Sequence, residues 1–441
     1  MKMKTKTKND SLNWRYVLYR VADCLRNGGG GYARFRRVLS VLRGERTVDS
    51  DPLKKILSWA VKNVEFYEAY SDYRGLADFP VVNKAVIRNN GARMLAHGFD
   101  PAKQYRVSTS GSTGTPFVVY HDAEKRRQAA ADTMAFSEFA GYRFGTRLYY
   151  VRAWDCVPVR GGWYSKLRNI VCVNNRENSA AYFRRFLEML EQDPSEKSVL
   201  IYASTLTELW RYMKTNGVET SAKVSVFITM SEALPDDVRR GIAKRFGTPV
   251  VSRYSDCECG LIAQQLPGES DYRVNEASFH VEVLKLDADV PAAFGELGRI
   301  VVTDLYNFAM PMIRYDTSDL GVAEKRGNAL VLSRVEGRKS DCIYATNGAP
   351  ISYHVFTNSI RTFDEVVQYQ VIQNTARDYV LKLNLGGEAF PRERELEEML
   401  KSYLGADATL KIEYVDEIPV LASGKRRTLV NHFFEKNEKQ R

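Results

Sequence analysis

A short loop rich in hydroxyl groups and glycine is the sharpest chemical signal in this sequence of 441 residues. Runs with the composition of β-strands flank it on both sides, and Gly-Thr-Pro ends it. Glycine lets the backbone approach a ligand and turn its N–H groups inward, while hydroxyl groups donate hydrogen bonds to phosphate oxygens. No Lys-Ser/Thr pair follows the last glycine, so this is not a Walker A loop. The pattern predicts a loop that binds an oligophosphate, although Ser/Thr/Gly stretches also occur as linkers. Its candidate phosphate-binding residues are Ser108, Thr109, Ser110, Gly111, Ser112, Thr113 and Gly114.

Further blocks follow this loop along the chain, and their order is informative. Together with the loop they resemble the signature segments of the adenylate-forming ligases, which include acyl-CoA synthetases and peptide-synthetase adenylation domains. The branch that the sequence resembles most is the phenylacetate-CoA ligase-like group, with its capsular-polysaccharide proteins of the CapK type. The resemblance covers about residues 53–441. The later blocks are residues 231–235, 254–258, 295–298, 310–320, 337–338 and 423–425.

The resemblance implies a reaction in which a carboxylate attacks the α-phosphorus of ATP and pyrophosphate leaves. Two anions must meet, so catalysis consists mainly of positioning and charge neutralisation. The implied catalytic residues are Glu258, as a hard oxygen ligand of Mg²⁺, and Lys425, as a mobile cation delivered to the reacting phosphate. The implied adenine- and ribose-binding residues are Ser231, Glu232, Ala233, Tyr254, Ser255, Asp319 and Arg338.

Several of these residues also have a purely structural interpretation. Glu258 is compatible with a surface salt bridge at a strand end, and Tyr254 with an ordinary core position. Asp319 precedes Leu-Gly, where it could cap a turn. Lys425 stands beside Arg426 and Arg427, as expected of a basic tail. The order of the blocks favours the functional interpretation in each case.

The sequence gives less information about the second half of the reaction, in which the acyl group is passed to an acceptor. The resemblance implies ATP, Mg²⁺ and coenzyme A, with a small carboxylic acid as substrate and an acyl-CoA thioester as product. It also implies a small domain that rotates about a hinge after Gly337, but the usual hinge position, Asp or Lys, is Ser340 here. Two alternatives therefore stay open. One is transfer to another acceptor, such as an amino sugar in capsular polysaccharide biosynthesis, and the other is a non-catalytic nucleotide-binding scaffold.

The sequence identifies neither the acid nor the oligomeric state. In the implied fold the acyl pocket is built from side chains that are scattered along strands and helices. We expect it around residues 149–154 and 227–230 and near Tyr254.

Charge is distributed unevenly along the chain. The net charge is +10, and residues 1–47 carry twelve Lys or Arg against three acids, which is +9, so the rest is close to neutral. This disfavours a nucleic-acid-binding protein. Six scattered cysteines do not form a disulfide framework, and residues 1–10 do not look like a secretory signal. Cys257 and Cys259 are too closely spaced for a usual zinc pair. We expect a cytoplasmic protein.

Residues 11–47 form a basic N-terminal extension with helical spacing of apolar residues on both sides of a glycine run at 28–31. Two interpretations stay open for this arm. It either packs on the main body as a solvated arm, which we favour, or contacts an anionic membrane surface at the cytoplasmic face.

The remaining chain predicts an α/β fold. Asp51-Pro52 predicts a helix start, with Asp51 as the cap. From residue 105 onward strand-like runs alternate with helical ones, which indicates a largely parallel sheet, and a more antiparallel region follows near residue 295. The predicted domains are the extension at 1–47, a large nucleotide- and acid-binding domain at 48–337, and a small mobile α+β lid domain at 338–441.

Overall fold

A computed structural model describes residues 13–109, 117–152, 154, 162–175, 179–338, 342–351, 353–360, 362–363, 365–385, 390–419 and 428–433. The α-helices span Trp14–Asn27 (α1), Gly30–Leu42 (α2), Asp51–Asn63 (α3), Lys84–Asn90 (α4), Ala123–Ala140 (α5), Gly162–Leu167 (α6), Ala180–Gln192 (α7), Ala203–Thr215 (α8), Asp236–Phe246 (α9), Tyr353–Ile360 (α10) and Glu393–Leu404 (α11). Within these ranges no helix combines the length and the apolar character needed to cross a bilayer.

The strands span Tyr105–Thr109 (β1), Phe117–His121 (β2), Arg147–Arg152 (β3), Ile170–Asn174 (β4), Lys197–Tyr202 (β5), Val224–Met230 (β6), Val250–Asp256 (β7), Gly260–Gln265 (β8), Tyr272–Val274 (β9), Phe279–Leu284 (β10), Leu297–Asp304 (β11), Tyr315–Arg326 (β12), Ala329–Arg338 (β13), Ile343–Tyr344 (β14), Pro350–Ile351 (β15), Val366–Gln373 (β16), Asp378–Leu385 (β17), Thr409–Tyr414 (β18) and Leu429–Asn431 (β19). The predicted α/β fold class is confirmed.

The largest sheet has eleven strands in the order β10-β11-β12-β13-β9-β8-β7-β6-β5-β3-β4. Strands β3 to β7 pair in parallel, and from β7 to β10 all pairs are antiparallel. The sheet is therefore mixed, with a parallel half that crossover helices connect. Because β5 is buried along its whole length, it carries an apolar run rather than an alternating pattern. The carboxyl ends of parallel strands share one edge, which is where ligands bind in such sheets.

Two smaller sheets matter for the site. β1 and β2 form an antiparallel pair in which Thr109 lies opposite Phe117, so the residues between them connect the two strands at one end. Toward the C-terminus, β18-β17-β16-β19 form a four-stranded sheet with its own apolar core, which includes Leu396 and Leu400 of α11. The prediction of a domain boundary near residue 340 stays a prediction.

One helix cap differs from the sequence prediction. Helix α3 begins at Asp51, and its N-cap residue is Ser50, so Asp51 lies in the first turn together with Pro52. The backbone N–H of Asp51 donates to the side chain of Asp49 at 3.0 Å. The acid still lies where it favours the helix dipole, but it does not cap the helix.

The N-terminal arm divides into two helices with different environments. Helix α2 packs its apolar face, Phe35, Val38, Leu39 and Leu42, into a cluster with α5. Asp23 of α1 is buried, and its carboxylate accepts hydrogen bonds from the backbone N–H groups of Gly31 and Tyr32. The second helix of the arm is thus part of the body, and the first is fixed to it through Asp23.

Candidate active site

The centre of the candidate site is Glu258, in the turn between β7 and β8. Its side chain is only 2% exposed, and its Oε1 lies 2.6 Å from Lys84 Nζ at the start of α4. The hydroxyl of Tyr315 on β12 donates to the same oxygen at 3.2 Å. His121, at the end of β2, donates from Nε2 to the backbone carbonyl of Glu258 at 2.7 Å. Three separate segments of the chain therefore hold this carboxylate in place.

A second carboxylate lies two residues away on β7. Asp256 Oδ1 accepts hydrogen bonds from the backbone N–H groups of Cys259 and Gly260. Its Oδ2 is buried and has no hydrogen-bond partner among the residues that the structure describes. Burial, together with the charge of Glu258, raises the pKa of Asp256 to about 7, and Lys84 opposes this. The charge of Glu258 thus disfavours ionisation of Asp256, and a cation bound beside the two carboxylates would relieve this repulsion.

This donor set fits a magnesium ion. Mg²⁺ takes hard oxygen ligands, usually one or two carboxylates together with substrate phosphates. Glu258 supplies a buried carboxylate, and the orphaned Oδ2 of Asp256 supplies a second oxygen nearby. Glu258 and Asp256 are therefore the residues of this region that could hold the ion.

The predicted ribose-binding acid is held by the predicted adenine-side tyrosine. Tyr254 on β7 is buried, and its hydroxyl donates to Asp319 Oδ2 at 2.9 Å and to Thr317 Oγ1 at 3.3 Å. Both partners lie on β12, which three intervening strands separate from β7 in the sheet order, so the sheet must curl to bring them together. In the register of β12 and β13, Asp319 lies opposite Arg338. Tyr254 thus fixes the position of Asp319.

The other predicted nucleotide-side residues lie at the same edge of the sheet. Ser231 follows β6 directly and adopts a left-handed backbone conformation with φ 76°. The carboxylate of Glu232 accepts a hydrogen bond from the backbone N–H of Ser204, in the first turn of α8, at 3.0 Å. Ala233 follows in the same loop, and Ser255 is an exposed residue of β7. The structure brings these residues to the carboxyl ends of β6 and β7.

A buried polar network lies on the far side of His121. Lys125 and Asp304 form an ion pair at 2.5 Å with both side chains 1% exposed. Asp132 accepts hydrogen bonds from Gln128 and Ser278 on a single oxygen, Oδ1. Burial lowers the pKa of His121, so its ring stays neutral and donates from Nε2. Through His121, this network is connected to the backbone of Glu258.

The network predicts a specific pH dependence of stability. Burial raises the pKa of Asp132 from its ordinary value of 3.8 to about 6. Its neutral form therefore stabilises the fold at low pH, and this contribution is lost as the pH rises from 4 through 6. Asp132→Asn stays neutral and keeps an oxygen for both hydrogen bonds. We expect its free energy of unfolding, relative to wild type, to rise by roughly 2 kcal/mol between pH 4 and 6. Urea denaturation at several pH values measures this, and a constant difference would contradict it.

Comparisons with known proteins find similar sequences in two groups. The family model of the CapK C-terminal domain matches residues 343–432. Protein CapK of Staphylococcus aureus is 22% identical over 404 residues, which cover 86% of this chain and 87% of that protein. The phenylacetate-coenzyme A ligase of Pseudomonas putida is 22% identical over 362 residues, covering 77% of this chain and 80% of that enzyme.

Solved structures extend the comparison to the fold. A crystal structure of 2-hydroxyisobutyryl-CoA ligase in the postadenylation state, in complex with R3-HIB-AMP, has a TM-score of 0.66 at 14% identity and covers 94% of this chain and 92% of that chain. The chain has the fold of an adenylate-forming ligase. ATP-bound MatB from Rhodopseudomonas palustris has a TM-score of 0.55 at 16% identity and covers 75% of this chain and 68% of that chain. The resemblance seen in the sequence is thereby confirmed.

In this adenylate-forming fold, the β1–β2 hairpin carries the predicted phosphate loop. Ser108 and Thr109 end β1, and Phe117 begins β2. Lys84 Nζ lies 5.5 Å from the centre of the Phe117 ring, so the base of the loop adjoins the ion pair of Lys84 and Glu258. The loop residues Ser110, Gly111, Ser112, Thr113 and Gly114 lie outside the described residues, as do Ser340 and Lys425, and the side chain of Arg338 is not described.

Lys84 and Asp256 are site residues that the sequence analysis missed, and Lys84 shows why. Asn83 caps α4, since its side chain accepts from the backbone N–H groups of Ala85 and Val86. This cap places Lys84 in the first turn of a short helix, and the cap is readable from the sequence. The partner of Lys84 is Glu258, which lies 174 residues further along the chain. No local pattern reports such a pairing.

The residues expected around the acyl pocket lie in two environments, and the position of that pocket stays a prediction. Tyr149 and Phe227 lie in the hydrophobic core, because alternate residues of a strand face opposite sides. The hydroxyl of Tyr150 accepts a hydrogen bond from Arg152 at 3.0 Å, and Trp154 donates to the backbone carbonyl of Tyr150 at 3.1 Å. Arg152 Nε is buried and has no hydrogen-bond partner in the described part of the chain. The end of β3 is therefore polar and aromatic.

Proposed function

We propose that this protein activates a carboxylic acid by adenylation. The observation that supports the proposal most directly is the buried Glu258 beside Lys84, at the base of the hydroxyl- and glycine-rich loop. Asp319, held by Tyr254, lies at the nucleotide side of the same sheet edge. One carboxylate that suits a metal, one cation and one acceptor for ribose hydroxyls match the needs of ATP.

The proposed first step is a displacement at phosphorus. A carboxylate oxygen of the acid bonds to the α-phosphorus of ATP, and the bond from that phosphorus to the oxygen bridging toward the β-phosphorus breaks. The products are an acyl- or aryl-adenylate and pyrophosphate, and no proton is transferred. A bound Mg²⁺ would neutralise phosphate charge. Glu258 would hold that ion, Asp319 would fix the ribose, and Lys84 and Lys425 would balance negative charge on the phosphates.

Lys84 gives the first test of this assignment. Lys84→Met keeps most of the side-chain length and removes the charge. We expect kcat/KM for ATP to fall by about 10- to 100-fold, because one cation near the phosphates is lost. Lys103→Met is the matched control, because Lys103 is an exposed lysine that forms an ion pair with Asp100. The rate of pyrophosphate release at limiting ATP is the measurement. If the Lys84→Met enzyme had the wild-type kcat/KM, Lys84 would not be part of the site.

For the second step we propose transfer of the acyl group to coenzyme A, as in the phenylacetate-coenzyme A ligases that the chain resembles. The match of residues 343–432 to the CapK C-terminal domain favours a second candidate. In that case the adenylate is passed to an acceptor other than coenzyme A, such as an amino sugar. The departure at the expected hinge residue, Ser340, is compatible with this alternative.

On the acid side, the polar end of β3 favours a substrate with a polar or anionic group of its own. Arg152 keeps a buried Nε donor without a partner among the described residues, and the hydroxyl of Tyr150 lies beside it. A wholly apolar acid would leave that donor unsatisfied, which costs free energy. Hydroxy acids, dicarboxylic acids and sugar acids are therefore candidates beside phenylacetate.

A screen of pyrophosphate release tests the proposal. Aryl, short-chain, hydroxy and sugar acids are each incubated with the enzyme, ATP and Mg²⁺, with coenzyme A, with an amino sugar, or with hydroxylamine as a general trap. We expect at least one acid to give ATP-dependent pyrophosphate release in the hydroxylamine arm. Stimulation by coenzyme A supports the thioester product, and stimulation by the amine supports the second candidate. ATP binding without release for any acid would instead favour the non-catalytic scaffold.

A further inference from the structure

Helix α1 presents an apolar stripe to solvent. Five of its large apolar side chains are between 39% and 82% exposed, and they recur every three or four residues, so they lie along one side of the helix. A helix that packs on a protein body normally turns such a stripe inward. The residues of this stripe are Trp14, Val17, Leu18, Val21 and Leu25.

The opposite side of α1 is fixed to the protein, so the helix cannot roll to bury the stripe. Asp23 is 5% exposed and accepts hydrogen bonds from two backbone N–H groups of α2. The ring of Tyr19 packs on Phe144, with 4.9 Å between the ring centres. The side chain of Asn13 donates to the carbonyl of Phe144 at 2.7 Å. These contacts leave the apolar stripe facing outward.

Basic residues border the stripe on both sides. At 100° per residue, Arg15 lies along one border of the stripe and Arg20 along the other. The guanidinium of Arg20 lies 4.4 Å from the centre of the Tyr32 ring, which places it at the junction of the two helices. In the sequence, residues 1–12 add four lysines and one aspartate. The arm thus combines an exposed apolar stripe with most of the net positive charge of the chain.

We propose that helix α1 binds an anionic lipid membrane. The helix would lie in the plane of the interface, with the stripe at the boundary of headgroups and acyl chains and the basic residues at the lipid phosphates. Charge complementarity selects this occupant. A second copy of the chain would bring two strongly basic faces together, whereas an anionic surface attracts them. The proposal does not depend on the adenylation activity.

Vesicle co-sedimentation of the full chain tests the proposal. We expect binding to phosphatidylcholine vesicles that contain phosphatidylglycerol, weak binding to pure phosphatidylcholine, and loss of binding at high salt. Leu18→Glu with Val21→Glu should lower the affinity for the anionic vesicles by at least about tenfold, because apolar contact is lost and negative charge is added. The matched control is Val290→Glu with Phe294→Glu, which changes two exposed apolar residues outside the arm by the same charge. The control should bind like wild type.

Melting temperature and ATP-dependent pyrophosphate release of both variants show whether each folds, since the altered side chains are exposed. If the wild-type protein does not bind anionic vesicles, the proposal is overturned. Equal binding by the α1 variant would also overturn it. A wild-type dimer in sedimentation velocity that the α1 variant converts to a monomer, without vesicle binding by either, would show that a second copy covers the stripe.

Discussion

Glu258→Gln is expected to lower acid-dependent pyrophosphate release by at least about 100-fold. Glutamine keeps the shape of the side chain and an oxygen for the Tyr315 hydroxyl, but it removes the charge that pairs with Lys84 and suits a metal. The loss should appear in kcat and also as a higher Mg²⁺ concentration at half-maximal rate. A Mg²⁺ titration of the steady-state rate measures both effects.

The control for this variant is Glu413→Gln, a partly exposed glutamate of β18 that pairs with Lys411. It should have the activity and the Mg²⁺ requirement of wild type. Melting temperatures of both variants separate a site effect from a folding effect. A Glu258→Gln enzyme that is folded, with kcat and Mg²⁺ dependence unchanged, would show that Glu258 is a structural salt-bridge residue.

Lys425→Ala is expected to lower adenylate formation by about 1000-fold. The adenylation transition state concentrates negative charge at the α-phosphorus, and under our proposal the ammonium group of Lys425, delivered by the predicted lid, would neutralise it. The second half-reaction should be largely spared, because the predicted small domain is expected to rotate and to carry this lysine away from the phosphate before the acceptor attacks the acyl carbon. Single-turnover assays separate the two steps, with a chemically prepared acyl-adenylate as substrate for the second.

Lys411→Ala is the matched control, since Lys411 is an exposed lysine of the same predicted domain, on β18. It should leave both half-reactions unchanged. If Lys425→Ala formed the adenylate at the wild-type rate, the proposed cationic cap would be wrong. If it lost both half-reactions equally, the lysine would serve the fold or the acceptor rather than the first step.

The elements with strong periodicity could be predicted from the sequence. Helix α7, at residues 180–192, is an example, because its apolar residues recur at helical spacing and Ser179 caps it. The alternation of strands and helices was likewise enough for the fold class. The N-terminal extension shows the limit of this reasoning. Both of its helices are amphipathic, but α2 buries its apolar face and α1 exposes it, which periodicity alone does not distinguish.

The site could be predicted as far as the residues that stand in recognisable blocks. Glu258, Tyr254 and Asp319 were named from the sequence, and the structure brings Tyr254 and Asp319 into hydrogen-bond contact. What the sequence could not show is long-range pairing. The contact of Lys84 with Glu258 depends on how α4 meets the turn after β7, and the hydrogen bonds between β7 and β12 depend on the curl of the sheet.

The most direct test of the central claim is exchange of labelled pyrophosphate into ATP in the absence of any acceptor. An enzyme that forms an acyl-adenylate reversibly will incorporate label only when its acid is present, whatever the acceptor of the second step. We predict acid-dependent exchange that requires Mg²⁺ and is lost in Glu258→Gln. Folded protein that binds ATP with Mg²⁺ but shows no exchange with any acid of the panel would contradict the account.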